Sequence, residues 1–210
     1  MIRQRQWPRV RAGWLLAFLL LVASPSSAEL LLSEILSGPT SDWDGDGAVD
    51  SKLDEWVEIV NTGPFPESLD NLFLRDGTGT AFHHGFAGTL NPNEVLVVTG
   101  ADAVAWQAAN AAGSSGLSLN NGGDTVELVR SDGTETVIDT AVVPAHAAVD
   151  DRSMARWSDG TWLLYDQPTP YGGSVEPTGT GCSPSPGAVN ACRTSVPIRA
   201  ASFGAVKSRY

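Results

Sequence analysis

From residue 29 onward, the sequence carries its apolar residues in short runs that are separated by Gly, Pro, Asn, Asp and Ser. Most runs alternate apolar with polar positions, the period that turns one side of a β-strand toward a core. The predicted strands are residues 30–36, 55–60, 71–75, 94–99, 125–130, 136–143 and 161–165. Short strands at this density predict an all-β fold, a β-sandwich.

Two local signals add detail to this framework. Ser131-Asp132-Gly133 lies between the fifth and sixth predicted strands and predicts a hairpin turn, because glycine tolerates the positive φ that such a turn needs. Residues 101–109 predict one short helix. Residues 171–188 are rich in Gly and Pro and predict a loop, in keeping with a chain of 210 residues that holds 22 glycines and 13 prolines.

The N-terminal residues predict a signal peptide, residues 1–28. Four arginines precede an apolar run from Trp14 to Ala23, and Ser26-Ser27-Ala28 supplies the small residues of a cleavage site after Ala28. The alternative is an uncleaved anchor, but the run is shorter than the roughly 20 residues of a membrane span. We therefore expect a secreted, cell-surface or periplasmic protein with no membrane span after cleavage.

The charge distribution bounds the class of partner. Residues 29–192 hold 24 acidic and five basic side chains, a net charge of −19. Such a surface repels phosphate backbones, so nucleic acid is excluded as an expected partner. Residues 193–210 form a short basic C-terminal tail with four basic residues and no acidic one. Two interpretations of this tail stay open, a frayed end and a docking segment.

The two cysteines of the chain, Cys182 and Cys192, predict a disulfide, which is the usual state in an oxidising compartment. A two-cysteine metal site is the weaker alternative, because His83, His84 and His146 lie far from both cysteines in the sequence.

Several separated motifs resemble the secreted bacterial relatives of the lamin-tail domain, an immunoglobulin-like β-sandwich. The matching segments, in chain order, are residues 30–36, 54–61, 117–128, 152–156, 159–162 and 185–190. The resemblance covers residues 29–190 and implies one domain over residues 29–192, with an interaction or scaffolding role and no catalytic residues to transfer. One departure is the stretch from 168 to 182, which is longer than the family's usual approach to its Pro-Gly-Ala ending.

Residues 42–50 resemble the front of a calcium-binding loop. Asp42, Asp44, Asp46 and Asp50 stand at relative positions 1, 3, 5 and 9, with Gly47 at the bend. Position 12, where a bidentate Glu would stand, is Leu, and two acidic residues follow it directly. The predicted ligands of a structural Ca²⁺ are Asp42, Asp44, Asp46, the carbonyl of Ala48, Asp50, Asp54 and Glu55. Mg²⁺ is less favoured, and the alternative to any metal is a solvated acidic turn.

Other chemistry is weakly indicated. The chain has neither a Gly-x-Ser-x-Gly nor a His-Glu-x-x-His motif, and we expect it not to be an enzyme. His83 and His84 are interpreted as a loop pair beside core aromatics, and Trp56 and Trp162 as core residues. Trp43, inside the acidic loop, is the tryptophan that could contact a sugar. The expected partner is a protein or a cell-surface glycan, with a carbohydrate-binding module or a hydrolase-associated domain as the alternative functions.

Overall fold

The computed structural model describes residues 30–192, which form eleven strands and one helix. The elements are β1 (Leu30–Leu36), β2 (Trp56–Asn61), β3 (Glu67–Ser68), β4 (Leu72–Asp76), β5 (Phe82–Gly85), β6 (Thr89–Leu90), β7 (Val95–Thr99), α1 (Gly100–Ala109), β8 (Gly123–Ser131), β9 (Glu135–Pro144), β10 (Ser153–Arg156) and β11 (Trp162–Tyr165). The described helix is too short to cross a membrane. The predicted signal peptide and basic tail lie outside the described residues.

The strands form two main antiparallel sheets that face each other. One sheet has five strands in the order β11-β10-β1-β2-β7, and the other has four in the order β5-β4-β8-β9. The two-residue strands β3 and β6 pair beside them. Apolar side chains from both main sheets meet in one buried cluster, so the predicted β-sandwich is confirmed.

All seven predicted strands are present, with ends that differ by no more than two residues from the prediction. The predicted hairpin is confirmed, since β8 and β9 pair from Ser131 opposite Glu135 and Gly133 has a φ of +106°. The predicted helix is α1, which begins after a capping box between Thr99 and Asp102. Four strands were not predicted: β3 and β6 are too short to show a period, and β5 and β10 have four residues each.

The core is aliphatic because the side chains that point inward from the strands are aliphatic. Its fully buried members include Leu32 and Ile59 from the five-stranded sheet and Leu72, Leu74 and Leu128 from the four-stranded sheet. Burying such side chains is the main stabilising contribution of the fold, about 1.5–3 kcal/mol for each. Of the two tryptophans expected in the core, Trp56 is buried and Trp162 is partly buried against the core cluster.

The side chain of Asp139 joins the two sheets through hydrogen bonds. Both carboxylate oxygens of Asp139, on β9, accept hydrogen bonds from the guanidinium of Arg156, on β10. One of them also accepts from the backbone N–H of Leu32, on β1, at 2.8 Å. The Arg156 guanidinium stacks over the Trp162 ring, 4.9 Å from its centroid. This contact ties β9 to the five-stranded sheet.

The outer face of the five-stranded sheet carries two fully buried glutamates, Glu34 on β1 and Glu58 on β2. Glu34 accepts from the Ser185 hydroxyl at 2.8 Å and from the Ser185 backbone N–H at 3.0 Å. Glu58 accepts from the Ser33 hydroxyl at 2.6 Å and from the Gly187 backbone N–H at 2.8 Å. We call these two carboxylates, with the backbone of residues 185–187 that they hold, the carboxylate clasp. It fixes the C-terminal part of the described chain across the sheet.

Two further contacts hold this C-terminal part. The Asn190 side-chain amide donates to the backbone carbonyls of Ser33 and Arg156. The predicted disulfide between Cys182 and Cys192 is present, and Cys182 is buried beside Tyr165. The polypeptide that follows β11 is therefore packed against the sandwich and belongs to the domain.

Two buried glutamates, Glu55 before β2 and Glu58 on β2, predict that the domain loses stability as pH rises. Burial raises the pKa of Glu58 to about 7 and that of Glu55 to about 8, from an ordinary value of 4.5. A group whose pKa is higher in the folded than in the unfolded chain stabilises the fold while it is protonated. That stabilisation is complete below about pH 4.5 and is lost as pH rises through 7 to 8, with a slope of at most about 1.4 kcal/mol per pH unit for each group.

Urea unfolding between pH 5 and pH 8.5 measures this dependence. We expect the free energy of unfolding to decrease across the range in the unsubstituted chain and to vary less in Glu58→Gln. Glu94→Gln, at an exposed position on the turn before β7, is the matched control and should keep the original slope. Identical slopes in Glu58→Gln and the unsubstituted chain would show that Glu58 does not titrate with folding.

Removal of the disulfide is expected to destabilise the domain. Its closed loop spans ten residues, for which loop entropy predicts a loss of about 3 kcal/mol in the Cys182→Ser/Cys192→Ser double variant. Chemical denaturation of the two proteins under non-reducing conditions gives the difference. A difference near zero would mean that the clasp and the contacts of Asn190 hold the C-terminal part in place without the disulfide.

Candidate metal centre

The long connection between β1 and β2 forms a loop, residues 37–55, at one end of the sandwich. Two glycines in it take a left-handed backbone, Gly45 with a φ of +79° and Gly47 with a φ of +92°. Residues with a Cβ rarely adopt these angles, so glycine lets the chain curl back on itself twice within three residues. We call residues 42–50 the aspartate loop.

Three carboxylates converge in the aspartate loop. One oxygen each of Asp42, Asp44 and Asp46 lies within 4.8 Å of the other two. Ca²⁺ holds its oxygen ligands at about 2.3–2.6 Å, so two oxygens on one ion are at most about 5 Å apart. The spacing of these three carboxylates therefore fits a single calcium ion.

Local hydrogen bonds arrange these side chains. The two oxygens of Asp42 accept from the backbone N–H groups of Gly45 at 2.7 Å and Gly47 at 2.9 Å. Asp44 accepts from the N–H of Asp46 at 3.0 Å, and Asp46 accepts from that of Ala48 at 2.8 Å. A carboxylate has about four acceptor positions, so each side chain keeps lone pairs for a cation.

Asp54 holds the aspartate loop by accepting hydrogen bonds from its backbone. Its side chain is buried, and one oxygen accepts from the backbone N–H groups of Trp43 at 2.6 Å and Asp44 at 3.0 Å. The other oxygen accepts from the N–H of Asp50 at 2.7 Å. Asp54 thus joins the beginning and the end of the loop through its backbone.

Asp151 holds the approach to the loop from a distant part of the chain. Its carboxylate accepts from the backbone N–H and the hydroxyl of Thr40 and of Ser41, and from the indole N–H of Trp43 at 2.8 Å. Burial acts to raise the pKa of Asp151, but the hydrogen bonds from Ser41, Thr40 and Trp43 outweigh it and lower that pKa. Asp151 is therefore held as a carboxylate. Asp54 and Asp151 together give the aspartate loop a defined shape.

Electrostatic repulsion within the loop favours a bound cation. The hydrogen bond from the Asp46 N–H lowers the pKa of Asp44, but desolvation and the nearby carboxylates of Asp46, Asp54 and Asp42 outweigh it. The pKa of Asp44 is therefore raised. Like charges held this close raise the free energy of the loop unless a cation or water offsets them.

The other predicted ligands have different surroundings. The Asp50 carboxylate accepts from the backbone N–H groups of Lys52 and Leu53, which lower its pKa. Glu55 is buried and accepts from the backbone N–H of Leu119 at 3.1 Å. The structure thus brings together Asp42, Asp44 and Asp46, while Asp50 and Asp54 shape the loop. Glu55 lies against the loop that precedes β8, at Leu119.

Sequence reasoning did not find Asp151. It lies about 110 residues from Thr40 and Ser41 along the chain, and no local spacing marks it as part of the loop. Tertiary structure brings Asp151 to the loop, because β10, which begins two residues after Asp151, pairs with β1. The backbone N–H of Asp151 also donates to the carbonyl of Gly38.

Trp43, the tryptophan of the aspartate loop, makes contacts within the domain. The indole N–H of Trp43 donates to Asp151, and its ring lies 6.0 Å from that of Trp56, between centroids. An indole that binds a sugar uses its face and its N–H group. The N–H is engaged within the domain, which weakens the interpretation of Trp43 as a sugar contact.

The histidine pair lies on β5, not in a loop as predicted. His83 Nδ1 is 3.1 Å from the carbonyl of Gly116, whereas the His84 ring packs edge-on against Phe86 and near Trp106. Burial lowers the pKa of His84. The loop interpretation failed because four residues with Gly at the end show too little β-strand pattern.

Comparison with known proteins gives one match. The model of the Lamin Tail Domain family matches residues 23–144 of this chain. No curated protein and no solved structure shows significant similarity to it.

The role of Asp54 leads to a test that does not require a metal. Asp54→Ala removes the acceptor for three backbone N–H groups and should lower the free energy of unfolding by about 2 kcal/mol. In hydrogen exchange, the amides of Trp43, Asp44 and Asp50 should lose protection. Asp70→Ala, at an exposed position after β3, is the control and should change neither quantity. Unchanged exchange at the three amides in Asp54→Ala would contradict the described support of the loop.

Proposed function

The chain belongs to the lamin tail domain family, and from this premise we propose that it is an exported, non-catalytic, calcium-binding β-sandwich that acts as a surface interaction or scaffolding module. Immunoglobulin-like domains of this kind are interaction modules, which is the coarser statement that the family supports. Calcium binding, export and the scaffolding role are the proposed refinements.

The calcium proposal is carried by the convergence of Asp42, Asp44 and Asp46 within 4.8 Å. Three oxygens of this kind match the hard ligands that Ca²⁺ takes, and their shape is set before any ion binds by Asp54 and Asp151. A bound ion would supply positive charge that offsets the repulsion described for Asp44. Because the loop joins β1 to β2, two neighbouring inner strands of the five-stranded sheet, the effect of the ion would be structural.

The export proposal rests on two independent observations. The arginine-led apolar segment of residues 1–28 has the composition of a signal peptide. The disulfide between Cys182 and Cys192 is typical of an oxidising compartment. Both support a secreted, cell-surface or periplasmic location, and such locations supply free calcium at concentrations that suit modest-affinity sites.

An interaction role is supported by the way the fold uses its polar residues. Many of the carboxylates for which the structure gives clear partners accept backbone N–H groups of the domain itself, as Asp54 and Asp151 do. They stabilise loops and the C-terminal segment of the domain. The exposed faces of the domain are the surfaces that a partner would contact.

Calcium titration by calorimetry, with thermal unfolding in calcium and in chelator, tests the proposal on the chain from Glu29 to Tyr210. At a calcium concentration of about 100 times the dissociation constant, the free energy of unfolding should rise by about 2.7 kcal/mol. Asp44→Ala/Asp46→Ala should abolish both the heat of binding and the stabilisation. In chelator, the same variant should be at least as stable as the unsubstituted chain, because it removes two repelling charges.

Asp70→Ala/Asp132→Ala, at two exposed positions outside the loop, removes the same formal charge and is the matched control. It should bind calcium as the unsubstituted chain does. Equal binding by both double variants would mean that calcium associates with the general acidic surface, and absence of binding would leave the aspartate loop as a solvated turn.

A further inference from the structure

The two glutamates of the carboxylate clasp lie directly opposite each other in the sheet. Glu34 on β1 is the register partner of Glu58 on β2, and neither side chain reaches solvent. Opposite residues on adjacent strands have Cβ atoms about 5 Å apart. The hydrogen bonds that the described chain donates to the two carboxylates come from uncharged groups, on Ser33, Ser153, Ser185 and Gly187. Two like charges are thus buried side by side without a bound cation, which is costly.

The neighbouring strands do not compensate this charge. On either side of the pair, the register partners are Ala155 on β10 and Val97 on β7, which are both uncharged. The charged and titratable groups that the strands bring near the pair are Arg156 on β10 and Tyr165 on β11.

Neither of these two groups balances the glutamates. The Arg156 guanidinium binds both oxygens of Asp139, so its charge is matched within the domain. Burial and the charge of Glu34 raise the pKa of Tyr165 to about 12. Tyr165 therefore stays neutral at physiological pH.

A β-turn covers the two carboxylates. The Ala188 N–H donates to the Ser185 carbonyl at 3.1 Å, with Pro186 at the second position and Gly187, with a φ of +79°, at the third. Proline followed by a glycine with positive φ is typical of a type II turn. The N–H groups of Ser185 and Gly187 donate to Glu34 and Glu58 respectively. We call residues 183–191 the covering segment.

The covering segment is fixed at its ends and weakly held between them. It lies between Cys182, which is buried, and Cys192, which is joined to Cys182 by the disulfide and whose carbonyl accepts from the Tyr165 hydroxyl at 2.9 Å. Every residue of the segment itself is at least partly exposed. Its hydrogen bonds to the strands come from Ser185, Gly187 and Asn190. The segment can therefore lift from the sheet by local opening while both ends stay in place.

Protonation of the glutamates and the position of the segment are linked. Desolvation outweighs the hydrogen bonds that each glutamate accepts, so that the pKa of Glu58 is raised to about 7 from 4.5 and the pKa of Glu34 is also raised. When the segment lifts, water reaches the carboxylates and their pKa values fall toward the ordinary value. The covered form therefore holds more protons than the uncovered form at neutral pH. A rise in pH favours uncovering.

From the opposed carboxylates, the turn on them and the fixed ends, we infer that residues 183–191 are a pH-dependent cover of the five-stranded sheet. The cover is closed while the Glu34–Glu58 pair holds a proton and lifts as the pH rises above neutral. Lifting brings the pair to solvent and moves Val189 and Asn190, which line a groove of about 370 Å³ on this face. The shape and charge of the outer face thus depend on pH, independently of calcium binding.

Hydrogen exchange of the Ser185 and Gly187 amides tests this inference on the chain from Glu29 to Tyr210, in chelator. NMR gives a protection factor for each amide, corrected for the intrinsic pH dependence of exchange. We expect both protection factors to fall at least about tenfold between pH 5.5 and pH 8.5, since one carboxyl changes the opening equilibrium by at most about tenfold per pH unit. They should also stay below those of the amides of β8, which exchange through global unfolding.

Substitutions identify the titrating groups. Glu58→Gln keeps an acceptor for the Gly187 N–H and cannot ionise, so the fall in protection should be at least about threefold smaller. Glu34→Gln/Glu58→Gln should abolish it. Glu94→Gln, at an exposed position before β7, is the matched control and should show the original fall. Thermal unfolding of each variant checks the fold.

Three results would overturn the inference, and the first two need no variant. Protection of Ser185 and Gly187 that does not fall with pH would show that the glutamates do not control the segment. Exchange of these amides at the protection of β8 at every pH would show that the segment leaves the sheet only in global unfolding. The original fall in Glu34→Gln/Glu58→Gln would place the titrating group elsewhere. Each result leaves the proposed calcium binding to be judged by its own titration.

Discussion

The burial of Glu34 and Glu58 on the outer face of the five-stranded sheet sets a condition that the rest of the domain must meet. A buried carboxylate without hydrogen-bond donors is costly, and the strands alone supply only part of what these two need. Ser33 and Ser153 donate from the sheet, and the backbone at Ser185 and Gly187 completes the set. The sandwich is therefore complete only when the C-terminal part of the described chain has returned across the sheet.

Buried carboxylates also accept backbone N–H groups at other loops of the domain. Asp54 accepts the N–H groups of the aspartate loop, Asp151 those that precede it, and Asp166 those of Tyr171, Thr180 and Gly181. Carboxylates accept backbone N–H groups more strongly than neutral acceptors do. Much of the acidic composition therefore serves as internal scaffolding. The net charge of −19 over residues 29–192 was expected to lie on the surface, yet seven of the 24 acidic residues are buried.

The strands could be predicted from the sequence, whereas these long-range carboxylate contacts could not. Period-two runs such as residues 30–36 and 125–130 show in any single sequence because the period is local. The disulfide was predictable because the chain has two cysteines, and the aspartate loop because its ligand spacing is local. Asp151 and Glu34 gave no local signal of their partners, since those lie more than 100 residues away in the chain. The groove on the outer face of the five-stranded sheet, beside Leu31 and Val95, was also unpredictable, because its lining comes from five separate segments that only the folded chain brings together.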